Sequence, residues 1–439
     1  MSNNSLFNQP EIVIFPNTVE KDPVIPYIPQ KEPNFVKKNV TNRHFSHLLL
    51  PFFLLLWTGL VFASGIGLGY WTMLEKSEDG NNPDIQGEKA EKTYPLLKYS
   101  FPELAQRQPQ TSPIQIKRVI KTNPEFTSYV FNYESEGKTI SGLMNIPKSD
   151  DSNKNFPVIL MLRGFVPEET YAIGAGTIRA GEAFAKQGYI TLAPDFLGFG
   201  ESDPQPGDSL ESRFIKPMNI LDLISSIESF HMQPLIFNKE VAGRFDSQKL
   251  GIWGHSNGGQ IALSILEITG KSYPTTLWAP VTKPFPYSVL YFTDESEDFG
   301  RSLRSVLSNF EQDYDVEQFT IGKYMDKITA KIQLHQGTAD DAVPVTWSDQ
   351  FVRNMDRVGK KDLVEYFVYQ NADHSLQPGW DQVVQRNFEF FRKELIEKSL
   401  ATPTPEATVS ASPVATESAL PIVQEQVSTP SGSVLPTAF

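Results

Sequence analysis

Ser256 stands between Gly254 and Gly258 in the stretch Gly-His-Ser-Asn-Gly, after the apolar run 249–253 and before helical spacing over 258–268. A small hydroxyl at a strand-to-helix corner has no packing duty. Lifted above a sheet edge, it can attack a carbonyl carbon. The two glycines suit a turn in which larger side chains collide, and the helix that follows aims its positive end at an anion forming there. The competing reading is a glycine-rich corner without chemistry.

A serine nucleophile needs a base, and the base needs an orienting acid. The chain has six histidines. His44 and His47 precede a long apolar run, and His231 ends a helical stretch. His255 adjoins Ser256, so its ring should diverge, and His335 ends a strand before Gly337. His374, in Asn-Ala-Asp-His-Ser-Leu, falls in a loop between the strand VEYFVYQ and the last helix, and is the candidate base. The acid should come from the strand end LHQGTADDAVP, where Asp340 and Asp341 both qualify and at most one can face His374. Asp373, next to His374 in sequence, is poorly placed to bond its ring.

Two donors should stabilise the oxyanion. One is the N–H of Asn257; the other belongs to the loop after the strand VILML and is either the N–H of Phe165 or the side chain of Arg163. Each such donor supplies about 3 kcal/mol of transition-state stabilisation. Arg163 suits pairing with an acidic residue equally well.

These groups need a scaffold. Alternating segments over 115–147 read as antiparallel strands, and FPVILMLRGF reads as a strand buried on both faces. Strands and helices then alternate to a closing helix over 379–398, which calls for an α/β fold with a mostly parallel sheet flanked by helices. Residues 282–330 interrupt that rhythm as a helical lid insertion. Its aromatics would face substrate, while its acidic runs, Asp294 to Asp298 and Glu311 to Glu317, read first as solvated faces and second as an attractor for a cationic group.

Outside 113–398 the chain changes character. Residues 1–45 are polar and proline-rich, an expected disordered arm, and 399–439 form a Pro/Ser/Thr-rich disordered tail. Between Leu48 and Leu74 lie 27 residues without a charge, long enough for one membrane span over 46–74. Lys31, Lys37, Lys38 and Arg43 precede the run, which places the N-terminus in the cytoplasm and the rest outside. Residues 75–112 read as a stalk. The net charge of -13 argues against nucleic acid as a partner, and the absence of cysteine removes disulfides and thiolate chemistry. No metal-ligand cluster or phosphate-cradling loop is visible, so no cofactor and no metal are expected.

GHSNGG at 254–259, HQGTADDAVP at 335–344 and ADHSL at 372–376 occur in this order. Together they resemble the catalytic domain of the prolyl oligopeptidase family within the α/β-hydrolases, over about 150–398. The resemblance implies Asp340 as the acid of a Ser256, Asp340, His374 triad. Gln336 is an insertion relative to the family pattern, and APDFLGFGESD resembles a family loop in which Asp195 would shape a turn. The resemblance implies a serine hydrolase acting on peptides, with a carboxylesterase as the alternative, and the apolar run adds a membrane anchor to either. Only about 40 polar residues and a few strands separate the apolar run from this domain, where the peptidases carry a β-propeller. Arg163 stands near where they often use a tyrosine. A third reading is an envelope-facing binding module without catalysis. The oligomeric state has no signature.

Overall fold

The computed structural model describes residues 92–151, 153–229, 244–293 and 298–398. The arm, the expected span over 46–74 and the C-terminal tail beyond residue 398 lie outside them. Among the described residues no helix is long and apolar enough to cross a membrane.

The strands are β1 (Gln115–Thr122), β2 (Phe126–Ser135), β3 (Lys138–Pro147), β4 (Asn155–Leu162), β5 (Ile190–Pro194), β6 (Arg244–His255), β7 (Thr275–Trp278), β8 (Ile332–Gly337) and β9 (Val364–Tyr369). They make one sheet in the order β1-β2-β3-β5-β4-β6-β7-β8-β9. β1 to β3 pair antiparallel, β3 meets β5 antiparallel, and every pairing from β5 to β9 is parallel. This is the α/β-hydrolase arrangement. Parallel strands require crossovers, and α2 (Ile178–Lys186), α3 (Ser209–Ser229), α4 (Asn257–Thr269) and α7 (Val345–Arg357) lie in them, while α8 (Trp380–Phe391) follows the last strand and packs back on the sheet. A short helix, α1 (Phe101–Gln106), precedes the sheet, and α5 (Tyr287–Leu290) and α6 (Arg301–Asp313) lie in the insertion.

β4 shows why the run FPVILML had to be a central strand. Side chains alternate across a sheet. Val158, Leu160 and Leu162 join one apolar layer with α3 and α4, while Ile159 and Met161 join the other with α2 and α8. Both faces are buried, so polar alternation has no place there.

The stalk reading needs correction at its C-terminal end. Tyr99, Phe101 and Leu104 are buried in the larger core. Arg107 donates to both carboxylate oxygens of the buried Asp222, at 2.6 and 3.0 Å. The segment is polar on average, but its few apolar residues are spaced to seat one short helix, with Ser100 capping Glu103. The insertion is likewise part of the core. Phe285, Phe310 and Phe319 pack around Phe214 of α3.

Candidate active site

Ser256 is the corner between β6 and α4, with φ 55° and ψ -122°. A non-glycine residue is held there only when its surroundings fix it. Here the backbone is fixed from the neighbouring strand: Ser256 N–H donates to the Trp278 carbonyl, and Val281 N–H donates to the Ser256 carbonyl, at 2.9 and 3.0 Å. A Cβ on Gly258 would fall 1.9 Å from the carbonyl oxygen of Leu162, so α4 starts against the end of β4 only because that position has no side chain. The same closeness brings the next loop to the nucleophile. A Cβ on Gly164 would stand 2.9 Å from Ser256 Cβ.

Asp340 and His374 come from the loops after β8 and β9. His374 Nδ1 donates to Asp340 at 3.0 Å from each carboxylate oxygen. The Asp340 side chain is fully buried, while that of His374 keeps 23% of its surface exposed. Burial alone would raise the acid, but the His374 hydrogen bond and the Val343 N–H hold Asp340 below the usual carboxylate range. Asp340 Oδ1 also accepts from the N–H groups of Ala342 and Val343. The two loops are stitched together by Thr338 N–H to the Tyr369 carbonyl and Ala339 N–H to the Ala372 carbonyl. They pass so closely that a Cβ on Gly337 would fall 2.1 Å from Ala372 O. Asp373 accepts from Ser375 and Gln377 N–H and so shapes the histidine's own turn.

Gln336 and His255 do work that the sequence did not disclose, and Asp195 ties together more than the turn expected of it. Gln336, the insertion relative to the family pattern, is buried; its Nε2 donates to Asp340 Oδ2 at 2.8 Å and to the Val343 carbonyl, and its Oε1 accepts from Ser348. His255 does not diverge from the site. Its Nε2 lies 2.9 Å from the backbone oxygen of His374. Asp195 is buried and accepts from Ser141 Oγ, Tyr171 Oη and Gly174 N–H, tying β3 to the loop after β4.

The oxyanion donors divide. The N–H groups of Phe165 and Asn257 are not spent on a hydrogen bond within the described residues. The two terminal nitrogens of Arg163 are spent on the loop itself, and only its Nε is left without a partner. The side chain is buried, donates to the carbonyls of Gly164 and Asp195, and stacks over Tyr171 and Phe199 at 4.6 and 4.2 Å. Its fork therefore braces the loop that presents Phe165, whose own side chain is 80% exposed. The alternative of an acidic partner is met in part: both hydrogen bonds go to carbonyl oxygens, while the Asp195 carboxylate acts on the Arg163 charge without bonding it.

Of the acidic runs, the described members of Glu311 to Glu317 include surface ion pairs: Asp313 with Lys92, and Asp315 and Glu317 with Lys323. Tyr287, Tyr291 and Trp347 border a cavity of about 600 Å³ between the insertion and α7.

Residues 238–397 match the family model described as the prolyl oligopeptidase family. The matched segment contains Ser256, Asp340 and His374. Two curated relatives, both described as an uncharacterized 31.7 kDa protein in the traX-finO intergenic region of Escherichia coli, are 28% identical over 125 residues. That alignment takes 28% of this chain and 37% of theirs, so the chain spans about a third of the relatives it matches. Similar solved structures include an acetyl xylan esterase from Paenibacillus sp. R4, with TM-score 0.47, 18% identity, and coverage of 66% of this chain and 91% of that one. A second, titled a putative dipeptidyl aminopeptidase IV from Bacteroides ovatus, has TM-score 0.43, 14% identity, and coverage of 65% and 36%.

Proposed function

We propose that this chain, a serine hydrolase of the α/β-hydrolase type, cleaves its substrate through an acyl-enzyme formed on Ser256. The observation that carries the reading is the double approach of His374 Nδ1 to Asp340, with Ser256 on a strained corner at the end of β6 in the same sheet. In the first step His374 Nε2 takes the proton of Ser256 Oγ as Oγ bonds the carbonyl carbon. The oxyanion receives the N–H groups of Asn257 and Phe165. Collapse expels the leaving group, which takes the proton back from His374. Water then repeats the sequence, and the acid product leaves. Asp340 keeps the proton on Nδ1, so that Nε2 is free to accept.

The preferred substrate is a peptide, on the strength of the matched family segment. A carboxylesterase is the second reading. It is favoured by the way β1 to β3 are absorbed into the catalytic sheet instead of forming a separate domain over the site. The insertion over 282–330 serves as the wall of the substrate cleft. The uncharged run over 46–74 supports a single membrane anchor with the catalytic domain outside the cell.

Full-length protein in detergent, with Ser256→Ala beside it, tests this. Fluorophosphonate labelling and turnover of acyl esters or aminoacyl naphthylamides are expected in the wild type and lost in the variant, by a factor on the order of 10⁶. The faster substrate class decides between peptidase and esterase. A folded wild type that neither labels nor turns over either class defeats the mechanism.

A further inference from the structure

α3 places Arg213 and Lys216 three residues apart, on one side of the helix. Both line a cavity of about 40 Å³ whose walls also include Asn257, Gln260, Phe214 and Phe285. Asn257 is the first residue of α4, so the cavity begins one residue from the nucleophile. Within the described residues neither cation meets a carboxylate, and none acts on either charge. The acid nearest in sequence, Glu211, is taken by the Tyr99 hydroxyl at 2.7 Å. Burial pushes Arg213 down to about 10 and Lys216 down to about 7, the latter pressed further by Arg213 and Arg163. The positive end of α4 adds to the same field. Both side chains are half-buried, and Lys216 Nζ lies 5.8 Å from the centre of the Phe196 ring. Half-buried cations without a counter-ion are unfavourable, and this arrangement leaves the counter-ion to come from outside.

We infer that this cavity is a subsite for a carboxylate carried by the substrate, held by Arg213 and Lys216 while the scissile carbonyl lies at Ser256. The inference rests on the hydrolase reading above and narrows its substrate class. The size fits: at about 10–15 Å³ for each water, the space takes about three waters, or one carboxylate. The guanidinium fork of Arg213 matches two carboxylate oxygens. Phe214 and Phe285 offer apolar wall to the carbon chain that joins the carboxylate to the reacting carbonyl.

The test uses full-length protein in detergent and 4-nitrophenyl monoesters of glutaric, adipic and pimelic acid. Each is compared with the uncharged ester of equal chain length. The expected result is a kcat/KM higher by about tenfold or more for at least one charged ester, the range of a hydrogen bond to a charged group. Arg213→Gln and Lys216→Met should each lower that charged-to-uncharged ratio, and the double variant should bring it near one. Free adipate should compete with the uncharged ester in the wild type, a measurement that needs no variant. A wild-type ratio at or below one at every chain length, or adipate without effect, overturns the inference and leaves the hydrolase standing. Absence of turnover for both ester classes together with absence of Ser256 labelling would defeat the hydrolase reading itself.

Discussion

His255 Nε2 lies 2.9 Å from the backbone carbonyl oxygen of His374, and the two rings stand 4.7 Å apart. The residue beside the nucleophile thus holds the loop of the base. Burial, and then the neighbouring His374, push His255 down to about 4, so at neutral pH it is an uncharged imidazole. With Nε2–H donating to the carbonyl, His255→Phe keeps a ring and removes the donor. We expect kcat to fall by about 10-fold, the worth of one hydrogen bond to a loop that must be placed, with KM little changed. His255→Gln should recover part of the loss. Steady-state kinetics on the two variants decide, and an unchanged kcat in the Phe variant would show that this contact does not position the base.

Asp340→Asn tests the tautomer. The new Oδ1 can still accept from Ala342 and Val343 N–H, so the loop should stay folded. Its amide group then faces the Gln336 Nε2 donor and His374 Nδ1. Donor facing donor drives the histidine proton to Nε2, where the base can no longer accept from Ser256. A fall in kcat on the order of 10⁴ is expected. A drop of less than tenfold, measured at saturating substrate on folded protein, would point to another acid.

Much of this site was legible because its chemistry needs particular residue types at strand ends. Ser256 and His374 are short-range signals, each read from a strand followed by a turn or loop, whereas the strand end left Asp340 and Asp341 both open and only the family resemblance picked Asp340. Residues that hold them were hidden because their partners are distant. Gln336 looked like an insertion, yet its side chain reaches four residues forward to Asp340 and twelve to Ser348. Arg163 looked like an oxyanion donor because only its position beside the site was readable; its direction is set by Asp195, 32 residues on. The segment 97–106 looked like a stalk since three buried side chains weigh little in a polar composition.

Gln336→Leu removes two donors' worth of order from the acid loop. The substitution leaves the Val343 carbonyl and Ser348 Oγ short of a partner in a buried setting and leaves Asp340 Oδ2 with His374 alone. Each such loss costs about 1–3 kcal/mol. The melting temperature should drop, and kcat should fall less than in Asp340→Asn. Gln336→Glu should be worse, because it sets a second carboxylate against Asp340. Thermal unfolding and kcat together check this, and a stable, fully active Leu variant would contradict the brace.

His335 gives the fold a pH dependence of defined sign. It is fully buried in β8 between Tyr369 Oη and the side chains of Gln333 and Asn387, and burial pushes it down to about 3, with Arg386 adding to the fall. An unfolded histidine binds its proton near pH 6.5. Below that the unfolded chain holds a proton that the native state refuses, so the stability from this site is present above about pH 6.5 and is lost as pH falls towards 3. Glu267, pushed up to about 8 by burial, acts in the opposite direction, so the difference between two proteins is the quantity to read. His335→Gln should flatten the decline of the urea midpoint between pH 7 and 5. Parallel declines in the two proteins would remove His335 from the account.

Arg163→Lys separates a brace from an oxyanion donor. Lysine keeps the charge but loses the planar fork that reaches the Gly164 and Asp195 carbonyls at once and the flat face over Tyr171 and Phe199. Loss of an oxyanion donor costs about 10²–10³ in kcat with little effect on folding. Loss of a brace shows first in stability, because two buried carbonyls and a stacked aromatic pair are released, and reaches catalysis only through a loosened Phe165 N–H. We therefore expect a clear fall in melting temperature with kcat reduced by less than about 10², the lower bound for a lost donor. A stable Lys variant that has lost kcat by the full amount would return Arg163 to the oxyanion site and overturn the bracing role.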